Sequence, residues 1–243
     1  MRNAVHSTFA AKIAAHTPLS DAESAALGAL VTRIQIVPAG DTVAAAGEPL
    51  DVATIVLEGI VARSKLLPDG RRQILSFLLP GDLVDAFASV LRRRDDNLEA
   101  ITAAKVAVVP QTRVAAVAAE FPRLHEAFLR EAFIETSIAR EWVLNVGQRT
   151  ADESLAHLLC ELSWRMETLG LARGGVVPFP FKQQQLADAL GLSTIHLNRV
   201  LRNLRGSGLI HLEARALTVL DAEALRRMAH FNPEYLHLSR EAA

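Results

Sequence analysis

One stretch of the sequence, from Lys182 to Leu204, carries side chains that could bind nucleic acid. Its second half presents hydroxyl, amide, imidazole and guanidinium groups at spacings that place them on one side of a helix. These residues are Thr194, His196, Asn198, Arg199, Arg202 and Asn203. Guanidinium and amide groups form paired hydrogen bonds with base edges, and cations bind phosphates. The pattern therefore predicts a surface that could contact DNA.

Apolar residues on the opposite side of the helix predict that it packs on the protein through that side. The helix repeats them at the spacing of one buried stripe, at Leu197, Val200, Leu201 and Leu204. A shorter helix is predicted before it, from Lys182 to Leu190. Gly191 would end the first helix in a left-handed conformation, and the Ser193 hydroxyl would cap the second. The two helices form a predicted helix-turn-helix in which Ser193–Leu204 is the reading helix.

A helical hairpin inside a bundle would share this pattern, so the following segment helps to decide between the two interpretations. Residues 206–208 carry two glycines that would end the helix, and two strand-like runs follow, at 209–212 and 217–220. A hairpin directly after a helix-turn-helix is a wing. The segment from Lys182 to Arg215 contains five basic side chains and two acidic ones, a net charge of +3, in a chain whose overall charge is −1.

These residues resemble the winged helix-turn-helix of Crp/Fnr-type bacterial transcription regulators. The resemblance rests on 185–193, on Asn198–Leu201 and on Gly208–Ile210. It implies that Arg199 binds a guanine and that Ser193, Lys182, Gln183 and Gln184 bind phosphates. The position where these regulators often carry glutamate is Ile195, so the operator should differ from theirs. Further DNA contacts are expected from Asn198, which could bind adenine, and from Thr194, His196 and Arg202.

The sequence before this region is similar to the cyclic-nucleotide-binding-type barrel of the same family. Residues 1–33 are predicted to be helical, with a capped helix start at 19–23. Strand-like runs between Ile34 and Pro110 are separated by turns, and glycines recur at 40, 47, 59, 70 and 81. After the turn at 80–82 an irregular segment is predicted, followed by a last strand at Val106–Val109. We therefore expect an α+β protein with an N-terminal β-roll or jelly-roll barrel, a long dimerisation helix and a C-terminal winged helix-turn-helix. The predicted domains are 1–120, a dimerisation helix and hinge at 121–150, and 151–243.

The barrel's effector site departs from the family pattern. Gly81 and Asp82 match the start of the phosphate-binding segment, Arg94 or Arg93 lies where the phosphate arginine is expected, and Thr136–Ser137 resembles the hydroxyl pair that binds adenine. Two carboxylates, at 95 and 96, stand where small residues are expected and would repel a phosphate. Val84 stands where a glycine is expected, which removes room for close approach of the backbone. A small effector in the barrel remains one hypothesis, but the pattern argues against a cyclic nucleotide. The other hypothesis is a constitutive regulator whose barrel is a ligand-free dimer scaffold.

Helices are predicted to connect the two parts. A helix covers Phe121–Val146 with two apolar stripes, of which one would pack on the barrel and one on a second copy of the chain; a single chain could instead bury both. The first stripe is Leu124, Phe128, Ala132, Ala139, Trp142 and Val146, and the second is Leu129, Phe133 and Val143. A hinge at 147–150 precedes a helix from Glu153 to Thr168, capped by Thr150 or Asp152. Its predicted buried face is Leu155, Leu158, Leu159, Leu162 and Met166. A glycine-rich loop, 170–175, leads to the first strand of the winged domain.

The composition excludes several other classes of protein. A single cysteine, Cys160, cannot bind a four-thiolate iron–sulfur cluster, and it is interpreted as a buried apolar residue. The histidines show no metal-ligand spacing, and residues 34–110 contain neither histidine nor cysteine, which argues against a cupin-type enzyme, the remote alternative. All uncharged runs are far shorter than the ~20 residues of a membrane span. We expect a cytoplasmic, non-enzymatic homodimer that binds double-stranded DNA. RNA polymerase is a further partner only if the protein is an activator, and the sequence does not decide between activation and repression.

Overall fold

The computed structural model describes residues 2–173 and 175–238; Gly174, in the predicted glycine-rich loop, lies outside them. The described residues form two compact units, one made of 2–69 and 77–136 and the other of 70–76 and 137–238. The first unit begins with α1 (Arg2–Ala14) and α2 (Asp21–Leu30). Ser20 caps α2 in the predicted way, because its hydroxyl accepts from the Glu23 amide while the Glu23 carboxylate accepts from the Ser20 amide.

Eight antiparallel strands follow and form two four-stranded sheets. They are β1 (Arg33–Val37), β2 (Thr42–Ala44), β3 (Val52–Glu58), β4 (Val61–Leu66), β5 (Arg72–Leu78), β6 (Leu83–Val84), β7 (Asn97–Ala100) and β8 (Ala104–Pro110). The order is β1-β8-β3-β6 in one sheet and β2-β7-β4-β5 in the other. Strand β7 was not expected, because its residues fall in the segment predicted to be irregular. The last strand is longer than the predicted Val106–Val109.

The first sheet is covered on both faces, which explains its continuous apolar runs. Along β3, Val56 faces a core shared with Val61 and Leu98 of the second sheet. Ile55 and Leu57 face a second core, formed with α1, α2, α3 (Gln111–Glu120) and the first half of α4 (Pro122–Gly147). The alternation of the strand thus provides residues for both cores, and the predicted β-roll with flanking helices is confirmed.

The long helix α4 begins at Pro122, where a proline is tolerated, and its buried face differs from the predicted one. The predicted first stripe is correct at Leu124, Phe128 and Trp142 but wrong elsewhere. Ala132, Ala139 and Val146 are exposed. Ile134 and Ile138 are buried instead, because the predicted stripe advances partly in steps of four residues, and each such step turns it by about 40° around a helix of 3.6 residues per turn.

The second unit is built around α5 (Ala151–Thr168), which Thr150 caps through a second reciprocal capping box with Glu153. The predicted apolar face of α5 is buried, with Leu155, Leu159 and Leu162 fully inaccessible. The remaining elements are β9 (Val176–Pro178), α6 (Gln183–Leu190), α7 (Thr194–Gly206), β10 (Ile210–Glu213), β11 (Ala216–Val219) and α8 (Ala222–Ala229). The three strands form one sheet in the order β10-β11-β9.

Candidate nucleic-acid interface

The turn between α6 and α7 is closed by the two residues that the sequence indicates. Gly191 adopts a left-handed conformation with φ of 64°, and its amide donates to the carbonyl of Ala187. The Ser193 hydroxyl accepts a hydrogen bond of 3.2 Å from the amide of His196. Helix α6 starts at Gln183, one residue later than predicted, with Lys182 at the capping position. The helix-turn-helix prediction is confirmed.

Helix α7 separates into a buried face and an exposed face. Leu197, Val200, Leu201 and Leu204 are at most 2% exposed. Arg199 and Arg202 lie on the other side and are exposed, as is Ile195, whose side chain is 85% exposed. Burial of the leucine stripe stabilises the helix, so the residues on the exposed face are not needed for packing. Cationic and polar groups are thereby held on one rigid surface.

The predicted contact residues do not all have the same exposure or the same partners. Six are exposed: Lys182, Gln183, Gln184, Ser193, Arg199 and Arg202. Thr194, His196 and Asn198 are half-buried. Gln184 and Thr194 are joined by a hydrogen bond of 2.9 Å between Thr194 Oγ1 and Gln184 Oε1. Asn203, also on the polar face, donates to Asp152 at 3.1 Å and so connects α7 to the start of α5.

The wing is a short antiparallel hairpin. Glu213 of β10 pairs with Ala216 of β11, and the two residues between them, Ala214 and Arg215, have φ of 49° and 63°. Two consecutive positive φ angles define the primed turn that matches strand twist. The turn therefore places Arg215 at the tip of the wing. On the strand before it, the Glu213 carboxylate lies 3.1 Å from His211 Nε2.

A buried carboxylate beneath this interface was not anticipated from the sequence. Glu161, in the middle of α5, is fully inaccessible. One of its oxygens accepts from Trp142 Nε1 of α4 at 2.9 Å and from the hydroxyl of Tyr235 at 2.8 Å, and the other lies 3.3 Å from Arg165 Nη1. Burial raises the pKa of Glu161 above its ordinary value, against the opposing effect of Arg165.

The carboxylate joins three parts of the second unit: the end of α4, the middle of α5, and a 3-10 turn at Pro233–Leu236. No motif in that C-terminal segment predicts a functional residue. The only signal there was the single tyrosine of the chain, and no spacing rule relates residue 235 to an acid 74 positions earlier.

The residues predicted to bind an effector are engaged with other groups of the protein in the first unit. Asp82 accepts from the amide of Leu79 at 2.7 Å and from Lys12 Nζ at 2.8 Å. Lys12 also pairs with Glu131 of α4. A Cβ atom added at Gly81 would lie 3.2 Å from the carbonyl oxygen of Thr8, so α1 packs closely against this turn. Although burial alone would lower the pKa of Lys12, the two carboxylates raise it.

Arg94, the predicted phosphate arginine, lies in a buried ion network. It pairs with Asp85 and, at 2.9 Å, with Asp96. Arg63 of β4 pairs with the same two carboxylates and, at 2.9 Å, with Glu135 of α4. The Arg94 side chain is only 3% exposed. Burial would lower the pKa of Arg63, but the carboxylates around it, Glu135 foremost, raise it.

The remaining predicted effector contacts differ in exposure and in their hydrogen-bond partners. Thr136 is an exposed helix residue whose hydroxyl donates to the carbonyl of Ala132 at 2.9 Å. Ser137, the next residue, is half-buried. Arg93 is exposed and donates to the carbonyl of Gly47 at 2.6 Å. Val84, where the family pattern has a glycine, is fully buried in the core of the roll.

Both parts of the chain match known protein families. Residues 34–121 match the cyclic nucleotide-binding domain, and residues 153–228 match the Crp-like helix-turn-helix domain. The nitrogen fixation regulation protein FixK of Bradyrhizobium diazoefficiens is 35% identical over 72% of each chain. The transcriptional activator protein FnrL of Cereibacter sphaeroides is 30% identical over 73% of this chain and 72% of its own.

The chain belongs to the Crp/Fnr family of transcription regulators.

A solved structure agrees with this assignment. The structure of FixK2 from Bradyrhizobium japonicum superposes with a TM-score of 0.75 at 26% identity, over 82% of this chain and 98% of that one. As a member of the Crp/Fnr family, the protein is a transcription regulator with a helix-turn-helix DNA-binding domain. No helix within residues 2–173 and 175–238 is long and apolar enough to cross a membrane.

Proposed function

We propose that two copies of this Crp/Fnr regulator pair through α4 and bind a palindromic DNA operator, each copy reading one half-site with α7. The observation that carries the proposal is the division of α7 into a leucine face that is at most 2% exposed and an exposed face bearing Arg199 and Arg202. A helix held by one face and polar on the other suits insertion into the major groove.

The proposed contacts divide into two groups. Arg199 would donate two hydrogen bonds to a guanine, and Asn198 would bind an adenine. Phosphates would be bound by residues near the N-terminus of the two helices, where amides and the helix dipole favour anions. These are Lys182, Gln183, Gln184 and Ser193. His196 and Arg202 lie on the same face and could bind either group.

Exposed apolar residues on α4 support pairing of two copies. Phe133 and Val143 are each 69% exposed and Leu129 is 38% exposed, at spacings that align them along one side of the helix. Large apolar side chains left in water favour association. Pairing of two copies would present two α7 helices to successive major grooves about 34 Å apart. A dimer acting on DNA would work in the cytoplasm, beside RNA polymerase.

The first experiment identifies the operator by selecting bound fragments from random DNA, and then measures affinity by fluorescence anisotropy. Arg199→Ala should weaken operator binding by about 1–3 kcal/mol, relax the preference at one base pair, and leave binding to random DNA nearly unchanged. An equal loss on both DNAs would make Arg199 a phosphate contact. A purified protein that selects no sequence would refute the proposal.

The buried ion network favours constitutive binding over control by an anionic effector. The guanidinium groups of Arg63 and Arg94 already have anionic partners. These are the carboxylates of Asp85, Asp96 and Glu135. A phosphate entering here would have to displace a paired carboxylate and lie beside it. We therefore propose that the barrel acts as a dimer scaffold.

Operator affinity in dialysed buffer should equal the affinity measured with a small-molecule extract of cells, at matched salt concentration. A tenfold or larger increase with the extract would favour the hypothesis of a small effector in the barrel instead.

A further inference from the structure

The segment of residues 70–76 contacts the C-terminal end of α6 through two neighbouring side chains. Arg72 Nε lies 2.8 Å from Asp188 Oδ2, and Gln73 Nε2 donates to the carbonyl of Ala189 at 3.0 Å. This segment belongs to the same compact unit as α6 and α7. The Asp188 side chain is 12% exposed and that of Arg72 is 21% exposed, so the pair is shielded from most of the solvent.

The end of α6 requires partners of this kind. The last carbonyls of a helix lack intrahelical donors, and the negative end of the helix dipole disfavours a carboxylate. Asp188 lies in that last turn, where α6 has no basic residue of its own. Arg72 supplies the missing cation, and Gln73 supplies a donor for one carbonyl. Residues 72 and 73 therefore cap α6 from outside the helix-turn-helix.

Asp188 also determines which way the amide of Gln184 points. Its second oxygen, Oδ1, accepts from Gln184 Nε2 at 2.6 Å, and Gln184 Oε1 accepts from the Thr194 hydroxyl at 2.9 Å. An ionised carboxylate can only accept hydrogen bonds. The NH2 group of Gln184 must therefore face Asp188, which leaves its carbonyl facing Thr194. Thr194 must then donate its only hydroxyl proton to Gln184.

We propose that Arg72 and Asp188 are positioning residues for DNA recognition, acting through Gln184 on Thr194. The inference rests on the proposed function of α7. Thr194 is the first residue of α7. With its proton committed, its hydroxyl offers only lone pairs, so it cannot donate to a phosphate. It can accept from an amino group, which adenine and cytosine present in the major groove. The relay thus makes Thr194 a base-reading acceptor.

The test is Asp188→Asn, which replaces the carboxylate with an amide that can also donate. Gln184 can then turn over and present its NH2 group to Thr194, which frees the hydroxyl proton. We expect the base preference at one operator position to change by about tenfold in a selection from random DNA.

Arg72→Ala should lower operator affinity by about fivefold, because Asp188 loses its counterion. Arg71→Ala, an exposed neighbour with the same charge change, is the control.

A purely electrostatic role for Asp188 and Arg72 would give a different result. Loss of a negative charge near DNA would raise affinity for all sequences equally. A uniform rise for Asp188→Asn, with unchanged base preference, therefore overturns the relay, as does an equal loss for the Arg72 and Arg71 variants. Failure of the unmodified protein to select any sequence would instead refute the proposed function. Unfolding followed by tryptophan fluorescence verifies that each variant is folded.

Discussion

Removing the Tyr235 hydroxyl tests whether the buried Glu161 carboxylate holds the second unit together. The change Tyr235→Phe deletes one donor and keeps the ring, whose centroid lies 5.8 Å from that of His157 and 6.2 Å from that of Phe231. Apolar burial is therefore almost unchanged. Glu161 keeps its bond from Trp142 at 2.9 Å and its contact with Arg165 at 3.3 Å.

The expected loss follows from the charge and burial of the acceptor. A hydrogen bond to a charged group contributes about 1.5–3 kcal/mol, and Glu161 has no access to water that could replace the lost donor. Burial, and then the charge of Glu161, raise the pKa of Tyr235, so the hydroxyl remains a donor at neutral pH. We expect the free energy of unfolding to fall by about 2 kcal/mol. With a urea m-value of about 2 kcal/mol/M, the midpoint should fall by about 1 M.

Tryptophan fluorescence in urea is a suitable assay, because both tryptophans, Trp142 and Trp164, lie in the second unit. The control is Glu234→Gln, an exposed change in the same 3-10 turn that should alter stability by less than about 0.5 kcal/mol. A midpoint for Tyr235→Phe within about 0.2 M of the control would refute the assignment of Glu161 as a stabilising acceptor.

Three further predictions concern single residues. Ser193→Ala removes the acceptor for the amide of His196 and should destabilise the second unit by about 1 kcal/mol in the same assay; no change would show that water replaces the cap. Burial, and then Arg149, lower the pKa of His157 to about 3 although Glu141 Oε1 lies 3.3 Å away, so the unfolded chain takes up the proton first. The free energy of unfolding should therefore fall by about 1.6 kcal/mol from pH 6.5 to pH 5, and a His157→Gln variant that kept this slope would contradict the assignment. Burial raises the pKa of Cys160 to about 12, so iodoacetamide at pH 8 should label it only after unfolding; rapid labelling of the folded chain would contradict its burial.

Local chemistry accounts for the parts of the fold that the sequence predicts well. Ser20, Thr150 and Ser193 each cap the helix that follows, because the cap depends on residues three positions away. Gly191 ends α6 for an equally local reason. The sequence pattern also identifies the buried face of α7, since its apolar residues repeat over about two turns. The helix-turn-helix could therefore be predicted from its own residues.

Predictions that depended on distant neighbours were less accurate. The register of the buried face of α4 was wrong at Ala132, Ala139 and Val146, because the elements that pack on the helix decide which side is covered. Strand β7 was missed because its four residues, Asn97–Ala100, form a strand only by pairing with β2 and β4. Short segments with weak intrinsic preference take their structure from tertiary partners.

The chemistry of this protein likewise divides into features that neighbouring residues determine and features that depend on distant contacts. Side chains four or fewer residues apart along a helix determine the polar face of α7 and its leucine stripe, so the order of amino acids sufficed to predict the surface that we propose for DNA binding. The ion pairs of Arg94 and the acceptor role of Glu161 depend on groups brought together by folding, over separations that reach 74 residues. Burial then sets the strength of those interactions, because removing water raises the cost of leaving a charge unpaired. Only the tertiary structure could decide them.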